Sequence, residues 1–226
     1  MNYMFYFAAK RAGILAFAVA FIFLSIINIQ AQNRSYNISY ELSMSNPASH
    51  LFEVTMRIET PSPETSFDIQ MPRWSPGRYA VVDFAKGVQG VRAGAACENC
   101  AFFLPLSVTR IDTQTWRISP NKVKNIVITY KVFANNLSGT FSQLDAHHAN
   151  YNGGTIFMYV VNHKQDAVQL KINAPPTWKI INGRMDNASQ TEWKFDNYDI
   201  LIDTPTEIAP DFTVDEFRVE GKIYRV

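Results

Sequence analysis

The chemistry open to this chain depends on which reactive side chains can be brought together. A zinc peptidase of the H-E-x-x-H kind needs two histidines four residues apart on a helix, so that both imidazoles reach one metal while the glutamate activates water. The histidines here are His50, His147, His148 and His163, and no pair has that spacing. The G-x-S-x-G nucleophile elbow, the phosphate-binding loop and the dinucleotide fingerprint are also missing from the sequence. Ser142, Asp145 and His147 share one polar segment. A triad, however, is assembled in space and needs a strained nucleophile turn and an oxyanion hole, neither of which this segment announces. No catalytic residue, metal ligand or cofactor is therefore expected in this chain.

Cys97-Glu-Asn-Cys100 is the other reactive pattern, and C-x-x-C spacing serves half a zinc site, a redox pair or a plain disulfide. A redox pair sits at a helix N-terminus after a strand, whereas this pair lies between Ala93-Gly-Ala-Ala and the strand-like Ala101-Phe-Phe-Leu. A four-residue turn brings its end Cα atoms within about 7 Å, compatible with a bridge. A local disulfide between Cys97 and Cys100 across a hairpin tip is the expectation. The sharper alternative is zinc held by these thiolates with His147 or His148, and it is weakened because adjacent histidines point apart in an extended chain.

The elements that would position such groups follow from composition and period. With 226 residues, 47% hydrophobic and 18% charged, the chain has enough apolar surface for a sizeable core. Its 21 basic and 20 acidic residues leave a formal charge of +1 and no basic block, which argues against nucleic acid as a partner. Lys10 and Arg11 precede an uncharged apolar run over residues 12–27, followed by Gln30-Ala31-Gln32. That order predicts a secretory signal peptide over residues 1–31, cut after Ala31. The run is shorter than the roughly 20 residues a membrane span needs. Ile29 is larger than the residue usual three positions before the cut, so an uncleaved signal anchor is the alternative, and membrane attachment is expected only in that case. Either way residues 33–226 are expected to be exported, to the periplasm or outside the cell.

Beyond the leader, short runs rich in Val, Ile, Thr, Phe and Tyr alternate with period two, as in Tyr36-Asn-Ile-Ser-Tyr-Glu-Leu, Leu51-Phe-Glu-Val-Thr-Met-Arg-Ile and Ile126-Val-Ile-Thr-Tyr-Lys-Val-Phe. They predict an all-β domain, an antiparallel sandwich or a curved saddle-like sheet, preceded by the signal helix and relieved by one helical turn near residues 198–202. Residues 135–154 are polar and long for a connection. They are expected to form a mobile loop with little apolar contact at its middle.

The most distinctive segment is Met71-Pro-Arg-Trp-Ser-Pro-Gly-Arg-Tyr-Ala-Val-Val-Asp-Phe-Ala. Ser75-Pro76-Gly77-Arg78 suits a turn with Pro second and Gly third, where positive φ costs glycine nothing. Trp74 and Tyr79 should then flank a rigid corner and pack on one another or on the sheet. Trp74, Arg78 and Tyr79 are also the candidate binding residues, with the Arg78 fork available to a peptide carboxylate. This segment resembles the P-x-W-x-P-G-x-Y-x-[IV]-x-D-[FY]-A signature of the PDZ-containing glycyl aminopeptidases, exported zinc peptidases. Asp112-Thr-Gln-Thr-Trp116, Tyr130-Lys-Val-Phe-Ala134 and Asn197-Tyr-Asp-Ile-Leu-Ile-Asp-Thr-Pro205 match in the same order.

The resemblance implies that residues 33–226 are the non-catalytic N-terminal β domain of such a peptidase. It would support a catalytic domain, its partner here, and shape the substrate cleft, with zinc expected only in that catalytic domain. Ala209-Pro210 stands where the family usually has a glycine, and the C-E-N-C insertion departs from the pattern. The rival readings are an exported β-sandwich that binds glycans or peptides on an aromatic platform, and a truncated product with no role of its own. The platform reading requires exposed aromatics. Tyr40, Phe52, Trp116, Tyr130 and Tyr159 should be buried if they are structural.

Overall fold

The computed structural model describes residues 35–78, 80–96, 104–184, 186–187, 189–213 and 215–226. The expected signal segment 1–31, Tyr79, Cys97 and Cys100 lie outside the described residues. The alternating runs become strands: β1 Asn37–Ser43, β2 Leu51–Glu59, β3 Phe67–Gln70, β4 Val88–Ala95, β5 Leu104–Arg110, β6 Thr115–Ser119, β7 Asn125–Phe133 and β8 Gln143–Leu144. They continue with β9 Ala149–Tyr151, β10 Tyr159–Val160, β11 Val168–Asn173, β12 Lys179–Asn182, β13 Glu192–Phe195, β14 Thr206–Ala209, β15 Glu216–Val219 and β16 Lys222–Arg225.

Ten strands form one curled half-barrel sheet in the order β10-β3-β6-β5-β4-β7-β2-β1-β11-β13. A four-stranded sheet runs β12-β14-β9-β8, and β15 pairs with β16. Register aligns the inward residues in rows. Val168, Ile38, Ile58 and Ile126 stand opposite one another across four strands, and Leu170, Tyr40, Met56 and Ile128 form the next row. All eight are at most 2% exposed. Burying each such side chain stabilises the fold by about 1.5–3 kcal/mol before entropy is charged against it.

The sheet is antiparallel as read from the sequence, with one exception: β1 and β11 run parallel. Alternation reports which side chains face the core but nothing about the direction of the neighbouring strand. A parallel pair also needs a long crossover, which the chain between β1 and β11 supplies.

Two helical turns pin the inner face. Asn152 accepts a hydrogen bond from the Gly154 amide at the start of the helix Gly153–Ile156. Asn197 does the same for Ile200 in the helix Tyr198–Ile202, at the predicted position. From the last residue of the first helix to the start of β10, Ile156, Phe157 and Met158 are fully buried, and three phenols hold their backbone. Tyr40 donates to the Met158 carbonyl at 2.7 Å, Tyr198 to that of Phe157 at 2.6 Å and Tyr130 to that of Ile156 at 3.0 Å. Tyr130 also accepts from the Met158 amide at 2.9 Å.

Of the five test aromatics, Tyr40, Phe52, Trp116 and Tyr130 are buried, and Tyr159 is half-buried against the core. They do not make an aromatic platform.

Residues 135–154 differ from the expected loop. Leu144 and Ala149 are fully buried, Tyr151 is 2% exposed, and β8 and β9 within the segment join the smaller sheet. Backbone bonds from Leu144 to Ala134 and from Asn136 to Ser142 close its middle. The apolar residues are too few to give a period, yet Leu144, Ala149 and Tyr151 reach the core, while Leu137 stays 61% exposed.

Candidate functional site

The signature segment forms a narrow excursion closed by two backbone bonds, Val82 to Arg73 at 2.8 Å and Arg78 to Ser75 at 3.2 Å. Gly77 has φ +79°, so the turn is built as its Pro-Gly pair dictates. Ser75, 1% exposed, seats the turn on the helix Gly153–Ile156. A Cβ on Gly154 would come within 3.1 Å of the Ser75 Cβ, so the close approach depends on glycine. Seating Ser75 inward sends its neighbours out. Trp74 remains 48% exposed rather than packed on the sheet, and Arg78 is exposed.

Pro76, Gly77 and Arg78 face Ser138 and Phe141 across a cavity of about 600 Å³. A second cavity of about 480 Å³ also touches Asn136 and Phe141 and extends to Lys86, Gln89 and Phe133. Asn136 and Phe141 line both, so the two cavities adjoin along one side of the chain from Asn135 to Phe141 and are taken together as a groove. Phe141 lies at its centre, edge-on to Phe84 at 5.9 Å between ring centroids, with the Lys86 ammonium 5.4 Å from the centroid of its ring. Of the three candidate binding residues, Arg78 lines this groove, Trp74 stands beside its turn, and Tyr79 lies outside the described residues. Sequence reasoning missed Lys86, Asn136 and Phe133. Lys86 directly follows the signature's Asp-Phe-Ala and was the nearest available signal.

The other reactive candidates are already committed to hydrogen-bond or ion-pair partners. Ser142 Oγ meets Thr155 Oγ1 at 2.5 Å, and it accepts from the Asn152 amide. Asp145 accepts from the backbone amides of His147 and His148, and these bonds, His147's foremost, hold its carboxyl below the usual carboxylate range. Asp145 is thus the cap of a turn, not the orienting member of a triad. His148 pairs with Glu207 at 2.6 Å, His50 meets the Leu144 carbonyl at 2.5 Å, and His163 pairs with Asp166 at 2.8 Å beneath the Tyr36 ring. Among the described residues no group of three or more His, Cys, Asp or Glu converges as metal ligands would.

The family model of the peptidase M61 N-terminal domain matches residues 39–210. The chain belongs to that family. A solved structure of an aminopeptidase N family protein from Idiomarina loihiensis is similar at 28% identity and TM-score 0.73, over 83% of this chain. An M1 zinc metallopeptidase from Deinococcus radiodurans is similar at 8% identity and TM-score 0.43, covering 85% of this chain and 47% of that one. No curated protein matches the chain. The chain spans 32% of the length of the Idiomarina relative.

Within this M61 N-terminal domain the signature turn and the groove fall inside the matched residues. The ribbon β15-β16 follows them. Its register puts Phe217 opposite Tyr224 and Val219 opposite Lys222 on one face, and the two rings stack at 5.4 Å. Phe217, Val219, Ile223 and Tyr224 are each close to half exposed. The ribbon extends neither sheet of the M61 domain.

Proposed function

We propose that this M61 N-terminal domain is a non-catalytic support for a zinc peptidase catalytic domain, and that the turn carrying Trp74 and Arg78 contributes to the wall of the substrate cleft. The apolar face of β15-β16 carries this reading. A two-stranded ribbon is marginal in water by itself, and a cluster of exposed apolar side chains marks a surface that a partner covers. In this reading the metal and the general base that polarise a peptide bond belong to the partner domain. Export to the periplasm or the cell exterior, and a bridge between Cys97 and Cys100, are part of the same proposal.

The test is to purify the tagged chain from cells that make it natively and to assay the eluate on glycyl and alanyl peptides. Chelator-sensitive turnover is expected to co-elute with the wild-type chain and to fall at least tenfold when Phe217→Ser and Tyr224→Ser remove the apolar face. Equal turnover from both preparations, or none from either, would overturn the docking role.

A further inference from the structure

The groove between the signature turn and residues 135–142 has a lining of one electrostatic sign. Arg78 lies in one cavity and Lys86 in the other, and among the described residues no aspartate or glutamate lines either. The chain as a whole is nearly neutral, so this separation of charge is local. Neither cation forms an ion pair among the described residues. Asp83, the nearest acid in sequence to Lys86, is exposed and lies outside the lining. A guanidinium and an ammonium left unpaired along a groove favour an anionic occupant.

The rest of the lining gives that occupant its shape. Phe141 and Phe133 offer apolar surface along the groove, and Phe133 is 49% exposed. The side-chain amides of Asn135, Asn136 and Gln89 line it without a hydrogen-bond partner among the described residues. Amides that donate and accept suit a peptide backbone, and the Arg fork suits a carboxylate. A compact phosphate would use the cations but leave the aromatic surface and the amides empty.

We propose that this groove binds an extended acidic peptide, with its carboxylates on Arg78 and Lys86 and an apolar side chain on Phe141. The inference uses the same turn as the functional reading above, but needs no catalytic domain, so the two fail separately. The M61 domain would then hold the charged part of a peptide away from the bond being cut and favour acidic peptides by attraction at long range.

The probe is a rhodamine-labelled peptide of alternating Phe and Glu, set against the same peptide with Gln for Glu, titrated with the 226-residue chain and followed by fluorescence anisotropy. The acidic peptide is expected to bind at least tenfold tighter, with affinity falling as salt rises from 50 to 300 mM. Arg78→Gln and Lys86→Gln should each weaken it at least fivefold. Arg57→Gln, outside the groove, should leave affinity and the circular dichroism spectrum unchanged. Equal binding of the two peptides, no binding at millimolar chain, or the same loss from Arg57→Gln as from Arg78→Gln would overturn the proposal.

Discussion

Replacing Gly153 by alanine is expected to destabilise the domain by about 3 kcal/mol, among the largest effects of adding a single methyl group to this chain. The added Cβ would lie 2.6 Å from the Cα of Ile202 and 3.2 Å from its carbonyl oxygen. Both obstacles belong to the backbone or its branch point in the helix Tyr198–Ile202, so no rotamer change relieves them. Alanine's better helix propensity returns at most about 1 kcal/mol. Gly154→Ala meets the Ser75 Cβ at 3.1 Å, and should cost less because the signature turn can yield by tenths of an ångström. Gly139→Ala meets nothing within 4 Å and should stay within about 0.5 kcal/mol of wild type. Urea midpoints of the three variants check the order. A Gly153→Ala chain as stable as Gly139→Ala would mean that the two helices are not packed this closely.

The second large effect is alkaline. Burial pushes the phenols of Tyr40, Tyr130 and Tyr198 well above their ordinary value, and the amide of Met158 donating to Tyr130 only partly offsets this. All three carry their protons into bonds with the carbonyls of residues 156–158. In the unfolded chain each titrates near 10. Above that pH the unfolded chain releases protons that the native chain keeps, so unfolding is favoured as pH rises. Stability from these groups is fully present below about pH 10. It is lost above that at roughly 1.4 kcal/mol per phenol per pH unit, about 4 kcal/mol per unit for the three. The urea midpoint should therefore hold steady from pH 8 to 9.5 and fall steeply by pH 11. Burial raises the Tyr151 phenol as well, so Tyr40→Phe should remove about a quarter of the total slope while lowering the plateau, because the Met158 carbonyl loses its donor. Equal midpoints at pH 8 and pH 11 would contradict the buried phenol cluster.

These two cases show where sequence reading reaches its end. The alternation of Ile38, Tyr40 and Leu42 against Asn37, Ser39 and Glu41 identified β1 and its buried face, and the Pro76-Gly77 pair identified a turn that the structure builds with Gly77 at φ +79°. Local pattern decides both. The partner of β1 on its far side lies at Val168 and beyond, and nothing in either run encodes a parallel match. Tyr40 and Tyr130 read as ordinary core aromatics because a hydroxyl's target is not visible in a period. Residues 135–154 read as polar loop because Leu144, Ala149 and Tyr151 are spaced for no regular element, yet they close the smaller sheet. The groove was legible only at Arg78. Its walls come from the turn after Ser75, the segment from Phe84 to Gln89, and the chain from Val132 to Ser142, which only the fold brings together.

In the proposed role this M61 N-terminal domain does not itself cut peptides. The direct measurement is turnover of glycyl and alanyl peptide substrates by the purified 226-residue chain with added zinc. The expected rate equals that of substrate with zinc alone, at every chain concentration. Turnover that rises in proportion to the chain and is abolished by a chelator would contradict it.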